Sequence, residues 1–226
     1  MSAAVPASPS DTPADRRLVA LALTLAALSL LMIAFNIGVT IAVGRLGQQF
    51  LPTLVTAMSL AVVGGVIASR RPRELIGWLL LFVAFTQALV EFSGAYSHLV
   101  SDYGFRLPAA YLFTWLSRWM WMPGVGVMVT FLVLLFPDGR LPSPRWRWVA
   151  AASGVALVVP ISVLAITALS VSGPSLVRSQ GPPSGSLAAK IFGPSMLFVG
   201  ACAVASFGSL ISRFRQSGPQ ARHQLK

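Results

Sequence analysis

The chain has 226 residues, 55% of them hydrophobic and only 10% charged, where a globular protein carries about 25% charged residues. So few charges cannot cover a soluble chain of this length, and the mean hydropathy of +0.75 directs the reading to an integral membrane protein. The net charge of +11 would suggest nucleic acid if it were gathered on one surface; here the basic residues are dispersed in short segments between apolar runs, so no nucleic-acid partner is expected. The single cysteine, Cys202, excludes an intrachain disulfide and a zinc cluster. No metal or cofactor is expected.

In chain order, residues 1–17 (MSAAVPASPSDTPADRR) are rich in Pro, Ser and Ala and read as a disordered cytoplasmic tail. The apolar run Leu18–Val43 is too long for the core of a signal peptide and ends without a clear A-x-A site, so it reads as a retained helix. A spanning helix needs about 20 mainly apolar residues. Five further segments qualify: Leu51–Ser69, Leu75–Ser97, Ala109–Phe136, Trp148–Ser170 and Leu187–Ile211. The expected fold is all-α, an integral membrane bundle of six transmembrane helices over residues 18–212, followed by a basic cytoplasmic tail at 213–226.

The basic residues orient this bundle. Arg16, Arg17, Arg70, Arg71, Arg73, Arg140, Arg145, Arg147, Arg213, Arg215, Arg222 and Lys226 fall on one side; Arg45, Arg106, Arg178 and Lys190 fall on the other. Twelve against four places the first group, and both termini, in the cytoplasm. In FPDGRLPSPRWRW, Pro137 and Gly139 end the fourth helix where it leaves the hydrocarbon. The arginines then lie among lipid phosphates, and Trp146 and Trp148 at the headgroup boundary. The segment ASRRPRELIGW repeats this pattern between the second and third helices.

Polar residues inside apolar runs are the functional candidates, because burying them in a bilayer is costly. Glu91 lies roughly 24 Å from the cytoplasmic start of the third helix, and Arg118 roughly 27 Å from the cytoplasmic end of the fourth. The two helices are neighbours and antiparallel, so the depths match and an intramembrane pair is expected. Gln87, Glu91 and His98 recur at four and seven residues and share one face. With Asn36 of the first helix they form a candidate polar face in the outer half. Trp115, Trp119 and Trp121 flank Arg118 and read as an outer aromatic belt. Pro123, Gly124 and Gly126 mark a candidate hinge. The stripe Ala201, Ala205, Ser209 permits close packing of the last helix. No catalytic set is visible: the acidic residues other than Glu91 lie at membrane edges or in tails, and no H-E-x-x-H, Walker loop or nucleophile elbow occurs.

The pairing of RRPRELIGWLLL with LLFPDGRLPSPRWRW resembles the multi-helix membrane region of actinobacterial-type sensor histidine kinases, over roughly residues 65–226. The motif residues are Phe136, Pro137, Asp138, Gly139, Arg140, Leu141 and Pro142. The resemblance implies a bacterial plasma-membrane sensory or anchoring module that acts as a homodimer with a kinase core or response regulator. These residues contain no phosphoacceptor-His helix and no ATP-binding motif, and neither His98 nor His223 has the acidic sequence neighbour of the family's phosphorylated His. Kinase chemistry is therefore not expected on them. The alternative is a stand-alone integral membrane protein, a small transporter-like or accessory subunit.

Overall fold

The computed structural model describes residues 13–43, 51–136, 139–141, 143–170 and 182–216. The helices in order are α1 (Pro13–Ala42), α2 (Leu51–Arg70), α3 (Leu75–Ser101), α4 (Ala110–Trp119), α5 (Trp121–Val127), a π-helical turn (Met128–Leu132), α6 (Val133–Leu135), α7 (Trp146–Ser170) and α8 (Leu187–Gln216). No strand occurs among the described residues. The chain is an all-α bundle; among the described residues six helical rods are long and apolar enough to cross a membrane, the fourth being assembled from α4 to α6. Helices suit a bilayer because they satisfy every backbone N–H and C=O internally, where no water is present to do so.

The side-chain distribution is that of a membrane bundle. On α1, Ala22, Ala26, Ser29, Ile33 and Asn36 are buried, whereas Leu21, Leu23, Leu28, Leu31, Ile37 and Ile41 are exposed. Lipid tails solvate large aliphatic groups as well as a protein core does. Helix association in a bilayer therefore selects small residues that let backbones approach. The multi-pass membrane protein expected from composition is what the fold presents, with the bilayer as its surroundings.

α2 and α3 approach each other closely at their backbones. A Cβ on Gly64 would stand 2.9 Å from the Leu81 backbone nitrogen, and one on Gly77 would stand 2.8 Å from that of Ala68. Gly65 faces the Ala26 Cβ of α1 at 2.9 Å in the same sense. The Gly64–Gly65 pair, a weak point for a helix in isolation, is therefore the surface on which α1, α2 and α3 meet. α3 also packs on α4, α5 and the π-helical turn, so it is shared by both halves of the bundle.

Several boundaries shift from their sequence positions. α1 starts at Pro13, so residues 13–17 are helical where a disordered tail was expected. Asp15 in its first turn is only 3% exposed, and the Arg73 guanidinium donates to its carboxylate at 3.2 and 3.4 Å. This clip ties α1 to the α2–α3 turn. Arg73 itself is largely exposed, so the pair contributes about 1 kcal/mol or less, with the positive end of the α1 dipole adding to it. α8 continues to Gln216, past the expected boundary at 212. Its inward stripe is Val199, Cys202, Ser206 and Ser209, whereas Ala201 is exposed; the small-residue face is thus rotated from the expected one. Cys202 is a buried free thiol packed beside Met122, Leu157 and Val199.

Candidate functional site

A cavity of about 90 Å³ lies between α1 and α3 toward the Ser101 end of α3. Asn36 and Thr40 of α1 line it, with Glu91 and His98 of α3 and Tyr103 just beyond. Its polar members are held by each other and by polar groups just outside it. Asn36 Nδ2 donates to the Glu91 backbone carbonyl at 2.8 Å and to Glu91 Oε2 at 3.4 Å. Thr40 Oγ1 donates to Asn36 Oδ1 at 3.4 Å. His98 Nδ1 is 3.1 Å from Asp102 Oδ2, and Ser101 Oγ donates to the other oxygen of Asp102 at 2.9 Å. Asn36 is 4% exposed, so its amide is a fixed element of the wall.

Of the expected polar face, the structure joins Asn36, Glu91 and His98 around one cavity. Gln87 is not among the residues lining it. The Gln87 Oε1 is buried beside α5, where a Cβ on Gly124 would come within 3.3 Å. Thr40 and Tyr103 in the lining, and Asp102 beside His98, were not anticipated. Two of them were legible: Thr40 follows Asn36 by four residues and Asp102 follows His98 by four, the spacing of neighbours on a helix surface.

The expected ion pair does not form: among the described residues Glu91 is met by Asn36 and makes no salt bridge to Arg118. Depth along the two helices matches, but direction around α3 does not. α4 packs on the face of α3 that carries Ser97, whose hydroxyl accepts from Thr114 at 3.0 Å. Ser97 is six residues from Glu91, about 240° around the helix at 100° per residue. Glu91 therefore faces α1, while Arg118 sits in the last turn of α4.

The tryptophans around Arg118 are half-buried and make contacts that hold helices together. Trp115 Nε1 donates to the Ala165 carbonyl of α7 at 2.9 Å. Trp121 Nε1 donates to the Arg118 carbonyl at 3.0 Å, at the break between α4 and α5. Trp119 stacks obliquely on Trp115, with centroids 5.0 Å apart.

The candidate hinge lies in a distorted region. Pro123 is in the first turn of α5, just after the interruption at Met120, and five residues later the helix widens into the π-helical turn. π turns are often found at functional sites. The two glycines, however, are close contacts. A Cβ on Gly124 would collide with Thr86 Oγ1 of α3, and one on Gly126 with Leu157 of α7. They fasten this segment to its neighbours.

At the opposite end from the cavity, Gly139 has φ +68 and donates its N–H to the Leu135 carbonyl at 2.8 Å. That left-handed conformation suits glycine and closes the helix end. A Cβ there would lie 3.8–3.9 Å from atoms of Leu75, Glu74 and Ile76, so the turn rests against the start of α3. Phe136, Arg140 and Leu141 belong to the same turn; Pro137, Asp138 and Pro142 lie outside the described residues.

No protein-family model, curated protein or solved structure matches the chain. The class is therefore defined by fold and site alone: an all-α, multi-pass membrane protein with a polar cavity between α1 and α3. Among the described residues no group of three or more His, Cys, Asp or Glu side chains is placed to hold a metal ion.

Proposed function

We propose that the chain is the membrane-embedded sensory or anchoring module of a bacterial two-component system, oriented in the plasma membrane with both termini in the cytoplasm. One observation carries the reading: α3 has the cavity at one end and, at the other, the two turns that bear the kinase-like motifs. The Asp15–Arg73 clip joins α1 to the same turns. A change at the cavity therefore has a continuous packed path to the basic side. The excess of basic residues on that side supports its cytoplasmic placement. Homodimerisation and a kinase core or response regulator as partner follow from the resemblance to sensor kinases.

The test joins the chain to the dimerisation and catalytic core of a histidine kinase and measures autophosphorylation in membranes. Glu91→Gln should change the rate by about fivefold or more at equal expression, the range of ordinary allosteric coupling. An unchanged rate would overturn the sensory reading. Solute flux through the reconstituted chain would favour the small transporter-like alternative.

A further inference from the structure

We infer that the α1–α3 cavity binds a small organic monocation, a protonated amine with an apolar body. The inference rests on reading that cavity as the input site. Its polar groups form an acceptor set. Among the described residues the Glu91 carboxylate is met only by Asn36, through Oε2, which leaves Oε1 for a ligand. His98 turns Nδ1 to Asp102; with the proton there, Nε2 is left as an acceptor. The Asn36 amide N–H groups are already directed at Glu91, and the Thr40 hydroxyl at Asn36 Oδ1. Among the described residues no Lys or Arg lines the cavity. An anion would thus meet a carboxylate and, the Tyr103 hydroxyl apart, spent donors, whereas an ammonium group would meet two acceptors and a counter-charge.

The remaining wall fixes the kind of cation. Val39, Ala95 and Leu99 are apolar and suit a hydrocarbon body, not a hydrated ion. The Tyr103 ring borders the same cavity, and cations are attracted to aromatic faces. A cavity of about 90 Å³ holds about six to eight water-sized groups. Benzylammonium is of that size. An ammonium headgroup of a lipid such as phosphatidylethanolamine offers the same chemistry from a different source.

The whole chain, purified in detergent, would be titrated calorimetrically with benzylammonium, and with benzyl alcohol and benzoate as neutral and anionic counterparts. Benzylammonium should bind, the other two should bind far more weakly, and Glu91→Gln should weaken it by about tenfold or more. Gly94 also lines the cavity, and a Cβ built on it meets nothing within 4 Å. Gly94→Leu should therefore fill the space and abolish binding while the helix is retained, which guards against misreading a Glu91 variant that fails to fold. Nanodiscs of phosphatidylglycerol with and without phosphatidylethanolamine separate the two sources: competition by the latter assigns the headgroup, and its absence assigns the free amine. Equal binding of benzyl alcohol, or binding unaffected by Glu91→Gln, would overturn the cation assignment, as would no benzylammonium binding in detergent or in either nanodisc. The sensory reading has its own readout in the autophosphorylation of the kinase fusion, so each can fail without the other.

Discussion

Gly77→Val should lower the stability of the bundle by about 3 kcal/mol, at the upper end of what overpacking costs, and should be the most damaging of the conservative apolar substitutions. The added Cβ would stand 2.8 Å from the Ala68 backbone nitrogen and 3.1 Å from its Cα. No side-chain rotation relieves a clash with backbone. α2 and α3 must separate, and the buried Ala61, Ala68, Leu81 and Ala84 lose contact together. Dispersion between helices is the main attraction in a bilayer, so a uniform gap of even part of an ångström is expensive. Thermal unfolding in detergent, followed by the loss of monodisperse protein, measures this. Gly38→Val, which meets nothing within 4 Å, is the matched control and should change the midpoint little. Comparable losses from both would mean that helix propensity, not the α2–α3 contact, sets the cost.

The second large effect is expected at Gly124. Gly124→Ala should cost about 1–3 kcal/mol, because the new methyl collides with the Thr86 hydroxyl. That hydroxyl is fully buried and donates to the Phe82 and Val83 carbonyls at 3.0 and 2.9 Å, so it has no solvent-facing position to adopt. Thr86→Ala removes the colliding oxygen and leaves the former Thr86 Cβ at 3.3 Å from the new methyl. The double variant should recover much of the loss, a favourable coupling where two independent defects would show none. Additive losses would show that the glycine is needed for helix flexibility near Pro123 and not for contact with α3.

The contrast between these two sites and the expected hinge shows what was legible. Run length and hydropathy gave all six spans, since a spanning helix has a length fixed by the bilayer and little else. Boundaries failed where composition misled. Pro, Ser and Ala before Leu18 look like a tail, yet Pro13 with Asp15 two residues later is a helix-start pattern, proline being preformed for the first turn and aspartate favoured by the dipole. Half of the cavity was legible, since Asn36, Glu91 and His98 are polar residues in apolar helices. The partner of Glu91 was not. Sequence gives depth along a helix through the rise per residue, but which neighbour lies at which angle depends on packing. That packing is set by glycines such as Gly64 and Gly77, whose role becomes visible only when the opposing backbone is in place. The same limit explains Gln87, whose long amide reaches α5 although its Cα lies near the face shared with Glu91.

The most direct test of the link between cavity and motif-bearing turns is hydrogen–deuterium exchange of the whole chain in nanodiscs, comparing wild type with Gly94→Leu. Altered exchange is expected at two separated places in the same sample: around residues 36–43 and 91–103, where the cavity is filled, and across residues 70–75 and 139–141 at the far end of α3. A change confined to the cavity, with those turns exchanging as in wild type, would contradict that link.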